Sequence, residues 1–441
     1  MKKNESARVE ITSMNDLGYG VGRIGEKVVF VKNGVTGDLL NVRIIKDGGS
    51  YFVALAEEIL HASSLRQNAC CADFPKCGGC AFRHISYDYE KELKCEFIAS
   101  FLKKEGLSDI TVLPVLSTGQ TDCYRNKVQF PYRDGTLGYY AGHSHRVASG
   151  VRCPQHLPAM QRVLDALEAF LREYSISSYD EETGKGLLRH ILLRSSADGR
   201  AMLLTLVLTA RSFPRERELL ALLQGFPEVK GLYYNVNNKN TNVILGDDFF
   251  HICGEKALTD TLLGCTFELS PASFYQVNHD ACELLYSEVI TRAGACAGAR
   301  VVDLFCGAGT IGICLAKNTS VGRLVGIEIV PQAVENAKRN AARNGVTNAD
   351  FFCGDANHPT LDDADVVIVD PPRKGLDEAL IAHLSDLAAL KKVIYVSCNP
   401  ATLARDLARF RARGWTVGEL QPVDMFPRTG HVECVTSLTR E

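Results

Sequence analysis

Beyond residue 274, short apolar runs alternate with helical stretches, and this alternation constrains the fold more than any other feature of the chain. The runs cover 301–305, 323–328, 349–353, 365–369 and 392–397. Strands that alternate with helices form parallel sheets whose helices cover both faces. Residues 274–441 are therefore predicted to form an α/β domain with a doubly wound, Rossmann-like parallel sheet.

The chain has 441 residues, which is too long for one ordinary domain, and two further regions precede the α/β part. Residues 1–60 contain short β-branched and aromatic runs separated by glycines, a pattern typical of a small closed barrel. Residues 61–273 combine a cysteine-rich stretch with a helix predicted over 87–105 and a hairpin turn at Asp134-Gly135. We expect a central α+β domain there.

Composition limits where the protein works and what it can bind. No apolar segment follows the N-terminal lysines, and no apolar run is long enough to cross a bilayer. Sixteen cysteines in so long a chain indicate reduced thiols, some of them metal-binding or catalytic. We expect a cytoplasmic monomer with no membrane contact. The formal net charge of −3 means that nucleic acid could be bound only through local basic patches.

A glycine-rich loop follows the first strand of the α/β region. Asp303-Leu304-Phe305-Cys306-Gly307-Ala308-Gly309-Thr310 ends a strand and opens a helix, which lets the backbone approach a ligand closely. Glu328 ends the next strand and is placed for ribose hydroxyls. This much fits NAD as well as S-adenosylmethionine. Two later carboxylates favour S-adenosylmethionine: Asp355, where a methyltransferase contacts adenine, and Asp370 of Asp370-Pro371-Pro372, beside the methyl donor.

A cysteine follows the last strand of the run, in Ser397-Cys398-Asn399-Pro400. A thiol beside a bound cofactor suits methyl transfer to C5 of uracil, which is a poor nucleophile until a thiolate adds to C6. A base must then remove the C5 proton so that the thiol can leave. Cys398 is the candidate nucleophile and Glu433 the candidate base. The alternative for Cys398 is a small buried apolar role, the commonest fate of a free cysteine.

Three cysteines share one short irregular segment, Cys71, Cys77 and Cys80, with two glycines between the last pair. The best-placed fourth thiol is Cys153, which precedes a proline, and Cys70 could replace Cys71. Four thiolates suit an iron–sulfur cluster or structural zinc. Because the spacing is irregular for a zinc ribbon, we expect the iron–sulfur cluster.

Over nearly its whole length the chain resembles the bacterial RNA uracil-C5 methyltransferases, specifically their 23S ribosomal RNA branch. The matching motifs are Cys77-Gly78-Gly79-Cys80, Tyr124-Arg125-Asn126-Lys127, Ser144-His145 before Cys153-Pro154, Ser270-Pro271 with Phe274-Tyr275-Gln276-Val277-Asn278, Asp303 to Gly309, Asp370-Pro371-Pro372-Arg373, Ser397 to Pro400 and His431-Val432-Glu433. The resemblance implies a TRAM domain for the barrel, and it implies that part of 85–112 packs on the catalytic domain.

The same resemblance implies the roles of individual residues. A [4Fe-4S] cluster would be held by Cys71, Cys77, Cys80 and Cys153. Cys398 would be the nucleophile and Glu433 the base. The contacts to S-adenosylmethionine would come from Gln276, Phe305, Thr310, Glu328, Asp355 and Asp370.

The expected substrate is a specific uridine of 23S ribosomal RNA, flipped out of its stack so that Cys398 can reach C6. Basic residues among aromatics suit single-stranded RNA; they are Arg23, Lys27, Lys32, Arg43 and Lys46 in the barrel, and Arg125, Lys127, Tyr132, Arg133, Tyr139, Tyr140, Arg146, Arg189, His190 and Arg194 in the central region. The alternatives are a tRNA uracil-C5 methyltransferase, an inactive RNA-binding ribosome assembly factor, and an NAD-dependent oxidoreductase with an iron–sulfur centre. The tRNA branch usually lacks both barrel and cluster.

Overall fold

The N-terminal strands close into a small barrel, as the sequence predicts. A computed structural model describes residues 2–440 apart from 143, 145, 149–151, 295 and 362, so His145 of the motif lies outside the described residues. The strands pair in the order β1-β2-β3-β5-β4, with β4 returning to β1. They are β1 (Ser6–Met14), β2 (Tyr19–Ile24), β3 (Lys27–Lys32), β4 (Leu39–Asp47) and β5 (Tyr51–His61). Buried Val, Leu and Ile side chains fill the interior.

A long helix follows the cysteine-rich segment and leaves the central region. Helix α1 (Tyr87–Lys104) is capped by Ser86, whose side chain accepts a hydrogen bond from the backbone amide of Tyr89. Its buried Ile98 and Leu102 belong to the hydrophobic core of the C-terminal domain. The helix therefore packs on that domain although barrel and central region lie beside it in sequence.

The central region forms a mixed six-stranded sheet in the order β11-β10-β9-β8-β6-β7. Its elements are β6 (Lys127–Arg133), β7 (Thr136–Leu137), α2 (Pro158–Glu173), β8 (Leu188–Ser195), β9 (Met202–Leu208), α3 (Glu216–Leu223), β10 (Val229–Val236) and β11 (Asp248–Gly254). The turn between β6 and β7 has positive φ at Asp134 and Gly135, 49° and 75°, as a tight hairpin requires. Helices α2 and α3 pack on this sheet through one apolar core.

The C-terminal domain carries the predicted parallel sheet. Its elements are β12 (Leu258–Leu262), β13 (Cys265–Leu269), α4 (His279–Ala293), β14 (Arg300–Leu304), α5 (Thr310–Asn318), β15 (Arg323–Glu328), α6 (Pro331–Arg343), β16 (Ala349–Cys353), β17 (Val366–Val369), α7 (Glu378–Asp386), β18 (Lys392–Ser397), α8 (Pro400–Ala412), β19 (Thr416–Val417), β20 (Gln421–Val423) and β21 (Glu433–Thr439). The sheet order is β16-β15-β14-β17-β18-β21-β19, with β20 paired to β21.

Strand order places a crevice at the middle of this sheet. From β14 the chain moves outward through β15 and β16, then returns to pair β17 and β18 on the other side of β14. Ligands of doubly wound sheets bind at such a reversal, at the carboxyl ends of the strands. Successive residues of β14 point to opposite faces of the sheet, so Val301 belongs to the hydrophobic core on one face and Val302 to the core on the other. The β12–β13 hairpin shares the first core, which thus extends before residue 274.

Across the described residues, no helix combines the length and the apolar character that a bilayer span requires.

Candidate active site

The predicted site residues of the parallel sheet meet at one edge. They follow or end the strands that flank the crevice: Phe305 after β14, Glu328 at the end of β15, Asp355 after β16, Asp370 after β17 and Cys398 after β18. Parallel strands share this carboxyl edge, so residues far apart in sequence lie side by side. The structure thus brings five of the predicted site residues to the reversal of strand order.

The glycine-rich loop has the tight geometry that a close ligand requires. Phe305 has φ of 63°, a left-handed conformation that is costly for a residue with a side chain, and Gly307 and Gly309 follow at 54° and 77°. A side chain at Gly309 would lie 3.0 Å from Phe351. With that contact and a positive φ, a side chain at Gly309 would be strained, and the loop leads directly into α5, which begins at this edge of the sheet.

The other predicted cofactor residues surround this loop. Glu328 accepts hydrogen bonds from the amides of Gly307 (3.1 Å) and Val330 (2.9 Å), which ties the second strand to the loop. The hydroxyl groups of Thr310 and Tyr286 are 2.8 Å apart. Gln276 is buried, and its backbone carbonyl accepts a hydrogen bond from Asn126.

Asp355 lies at the open end of the crevice. Its carboxylate is exposed and accepts hydrogen bonds from Asn357, while the ring of His358 lies 3.1 Å from it. The backbone amide of Asn357 and then His358 hold the pKa of Asp355 below its usual value. Two large apolar side chains beside these acids, Ile329 and Phe352, are 63% and 52% exposed. Such a surface suits a flat heteroaromatic ring with polar edges.

The end of an antiparallel pair brings Cys398 and Glu433 near each other. The last pair of the β18–β21 ladder is Ser397 with Cys434, so Cys398 and Glu433 are the residues next to that pair on each strand, and the charge of Glu433 acts on the Cys398 thiol. On its other side Glu433 pairs with Val423 of β20. The two candidate catalytic residues therefore lie together, although 35 residues separate them in the sequence.

Burial gives this edge an unusual electrostatic character. It raises the pKa of Asp370 to about 7 and, together with the charge of Asp370, raises that of Glu433 to about 8. Burial, and then the charges of Glu433 and Asp370, raise the pKa of the Cys398 thiol to about 11. Arg373 acts in the opposite direction on Glu433 and Cys398. Three acidic groups thus share a site that would gain from a bound cation.

The four predicted metal ligands line one cavity. A cavity of about 460 Å³, part of it open to solvent, is bounded by Cys71, Cys77, Cys80 and Cys153, together with Arg83, Tyr139 and Gln155. Cys70 is exposed instead, and the Nη1 of Arg83 donates a hydrogen bond to its sulfur over 3.3 Å. Of the two neighbouring cysteines, only Cys71 faces the cavity.

Hydrogen-bond donors surround the sulfur atoms. The Nε of Arg83 and the side-chain amide of Gln155 both lie 3.4 Å from the sulfur of Cys80, and the amide of Gly79 lies 3.3 Å from that of Cys77. In the part of the chain that the structure describes, no three His, Cys, Asp or Glu side chains converge as they would around a single metal ion.

The predicted RNA-binding surface of the central region needs correction. Tyr132, Arg189, His190 and Arg194 are all less than one-tenth exposed, so they do not form an open stacking surface. Arg189 instead donates to the backbone carbonyls of Asn237, Lys239 and Thr241. A small cavity of about 260 Å³ is lined by Pro131, Tyr132, Arg133, Tyr140, Tyr179, Glu181, Arg189 and His190. In the barrel, Lys27 and Arg43 are paired with Asp47 and Glu57.

Sequence reasoning missed two residues of the site. The sequence identifies Arg373 only as part of its motif, whereas in the structure its charge acts on both Cys398 and Glu433. The signal in the sequence is its position directly after Asp370-Pro371-Pro372. Tyr286 meets Thr310 through the packing of α4 on α5, which no local pattern reveals.

Known proteins that are similar to this chain in sequence or in structure are methyltransferases. A family model described as a methyltransferase domain matches residues 296–404. An uncharacterized RNA methyltransferase of Clostridium acetobutylicum is 36% identical over 100% of this chain and 98% of its own length. One of Bacillus cereus has the same identity and coverage. The Pyrococcus abyssi tRNA (uracil-54, C5)-methyltransferase, solved with S-adenosyl-L-homocysteine, is 26% identical with a TM-score of 0.81 over 98% of this chain and 100% of that one.

Proposed function

We propose that this chain, which belongs to the RNA methyltransferases, transfers the methyl group of S-adenosylmethionine to C5 of a specific uridine in 23S ribosomal RNA. The observation that carries the proposal is that the β18–β21 ladder ends at Ser397 and Cys434, so the adjacent Cys398 and Glu433 lie close enough for the charges of Glu433 and Asp370 to act on the thiol, at the edge that carries the glycine-rich loop. C5 methylation of uracil requires a thiol as nucleophile, a carboxylate as base and a methyl donor bound beside them.

Cys398 acts first. Its thiolate bonds to C6 of the flipped uracil, the C5–C6 double bond opens, and the electron pair moves through C5 to the C4 oxygen as an enolate. S-adenosylmethionine supplies the methyl carbon, whose bond to sulfur breaks as its bond to C5 forms. Glu433 then takes the proton from C5, the C5–C6 double bond returns, and the C6–sulfur bond breaks to release Cys398.

Cofactor binding would prepare the acids for this chemistry. In the free protein the pKa of Glu433 is about 8 and that of Cys398 about 11, so neither is in its reactive form at pH 7. A positively charged sulfonium beside Asp370 favours the ionised form of all three groups. We assign the cofactor contacts to Gln276, Phe305, Thr310, Glu328, Asp355 and Asp370, with Ile329 and Phe352 beside the adenine.

We propose a [4Fe-4S] cluster on Cys71, Cys77, Cys80 and Cys153. Each thiolate of such a cluster binds a different iron, so the sulfurs stand farther apart than around one zinc ion. The proposal rests on the four thiols that line one cavity. The donors from Arg83, Gln155 and Gly79 would stabilise sulfurs that carry negative charge. Reduced thiols and a cluster fit a cytoplasmic protein.

The substrate assignment has a specific competitor. The Pyrococcus abyssi tRNA methyltransferase matches 98% of this chain in structure, so barrel and cysteine segment do not by themselves exclude tRNA. We keep ribosomal RNA as the proposal and tRNA uridine as the second candidate.

The test compares two variants on a denaturing gel with labelled ribosomal RNA fragment. Glu433→Gln should accumulate a retarded, methyl-labelled protein–RNA band, because addition and methyl transfer proceed while proton removal is slow. Cys398→Ala should give neither band nor 5-methyluridine. If Cys398→Ala still forms 5-methyluridine, the mechanism is wrong. Methylation of tRNA but not of the ribosomal fragment would move the assignment to the second candidate.

A further inference from the structure

Glu433 stands at the mouth of a hairpin loop. Strands β20 and β21 close with the pair Val423 and Glu433, and residues 424–432 form the loop between them. Where this loop lies determines where the chain enters β21, and therefore where the Glu433 carboxylate points. We call residues 424–432 the hairpin loop.

One end of the hairpin loop is fixed by a fully buried charge cluster. The ammonium of Lys94 lies 2.8 Å from both Glu90 and Asp424, and none of these three side chains is more than 1% exposed. The hydroxyl of Tyr87 donates to the same Asp424 over 2.7 Å. Burying three charges is costly unless each is paired, so the cluster holds Asp424 in one place. Helix α1 thus anchors the start of the loop.

The centre of the hairpin loop is held by the cysteine segment and the central domain. The backbone amides of Ala81 and Phe82, directly after Cys80, donate to the carbonyl of Arg428 over 2.8 and 3.1 Å. The carbonyl of Pro427 accepts from the hydroxyl of Tyr124 (3.1 Å) and from the side-chain amide of Gln155 (3.3 Å). The same Gln155 amide donates to the sulfur of Cys80.

This loop does not have a relaxed backbone of its own. Arg428 has φ of 69°, a left-handed conformation that costs a residue with a side chain about 1 kcal/mol or more. At Gly430 an added side-chain carbon would lie 1.8 Å from the carbonyl oxygen of Asp16 in the barrel. Such a conformation must be held by contacts from outside the loop. Here they come from the barrel, the cysteine segment, α1 and the central domain.

We infer that the cysteine segment controls the position of Glu433 through the hairpin loop, with Tyr124 and Gln155 as positioning residues. The inference rests on the proposed function, because it concerns the step that Glu433 performs. A loosened loop should leave the addition of Cys398 to C6 and the methyl transfer in place. It should slow removal of the C5 proton, so the covalent protein–RNA adduct should persist. Iron bound by the cysteines would fix the cysteine segment, and through it the hairpin loop and the position of Glu433.

The test is a matched pair of tyrosine variants. Tyr124→Phe deletes the hydroxyl that donates to Pro427, while Tyr132→Phe deletes an equally buried hydroxyl that donates to Ile176 inside the central domain. In single-turnover reactions the adduct of Tyr124→Phe should decay about fivefold more slowly than wild type, the rate equivalent of one hydrogen bond. Tyr132→Phe should match the wild type, and adduct formation should be equal in all three.

A second readout needs no catalysis. The backbone amides of residues 425–432, apart from Pro427, should exchange hydrogen faster in Tyr124→Phe than in the wild-type protein. They should also exchange faster in the wild-type protein after iron is removed, but not in Tyr132→Phe. Gln155→Met, which lacks both donors, is the second variant and should behave as Tyr124→Phe does. Equal adduct decay and equal exchange in all variants would overturn the inference, as would parallel loss of adduct formation and decay. If the wild type forms no adduct, the proposed function fails instead.

Discussion

Replacing Glu433 by Gln should stabilise the folded protein while it impairs the enzyme. Glu433 is only 5% exposed, and burial raises its pKa from 4.5 to about 8. The folded state therefore disfavours the ionised carboxylate. Through this group, the free energy of unfolding of the protein falls as the pH rises from 4.5 to 8. At about 1.4 kcal/mol per pH unit, the penalty is about 1 kcal/mol at pH 5 and about 3 kcal/mol at pH 7. Gln has the same shape and no charge to desolvate, so Glu433→Gln removes the penalty.

Thermal unfolding at two pH values checks this expectation. Glu433→Gln should raise Tm by several degrees more at pH 8 than at pH 5, since about 1 kcal/mol shifts the Tm of a domain of this size by 2–4 °C. Glu255→Gln is the control, because Glu255 is exposed and its variant should change Tm equally at both pH values. A gain for Glu433→Gln that is independent of pH would refute the electrostatic account of this site.

Three further results are expected. The Kd for S-adenosylmethionine should fall about tenfold between pH 6 and 8, as Asp370 and Glu433 ionise, whereas S-adenosylhomocysteine, with its neutral sulfur, should change less; calorimetry with equal slopes for both would contradict this. Anaerobically purified protein should be brown with about four irons per chain, and Cys80→Ser should lose the colour; stoichiometric zinc without iron would reject the cluster. Charge reversal of Arg23 and Lys46 in the barrel should weaken RNA binding and lower its salt dependence by about two ions; an unchanged salt slope would remove the barrel from the interface.

The parallel sheet could be predicted from sequence because its signals are local. The predicted strands 323–328 and 392–397 have the observed bounds, since buried parallel strands are continuous apolar runs between helices. The predicted strand 349–353 also has the observed bounds, although it is an edge strand in which only Phe351 is buried. The helix predicted over 87–105 is observed at Tyr87–Lys104, with Gly106 at φ of 75° just beyond it. Where the strands end, their carboxylates and thiol could be assigned to one edge by geometry alone.

The parts of the fold and of the site that the sequence does not predict depend on contacts between residues far apart in the chain. The proximity of Cys398 to Glu433 follows from the antiparallel strand β21, whose ladder with β18 ends at Ser397 and Cys434, and no pattern near either residue encodes that register. The buried cluster of Lys94, Glu90 and Asp424 joins positions more than 300 residues apart. The sequence also predicts an RNA surface at Arg189 and Arg194, because it does not show which residues these side chains contact. In the structure both guanidinium groups donate hydrogen bonds to backbone carbonyls inside the fold.

The arrangement also accounts for why the base comes from a separate strand. A parallel strand in this sheet delivers one residue to the edge from its carboxyl end, and β17 and β18 deliver Asp370 and Cys398 that way. Strand β21 runs antiparallel to β18 and begins at that edge, so its first residue, Glu433, is also placed there. Such a strand begins with a loop, so the position of the acid depends on what holds the loop. The barrel, the cysteine segment, α1 and the central domain all contact residues 424–430, so we expect the proposed chemistry at Glu433 to be sensitive to regions that carry no candidate catalytic group.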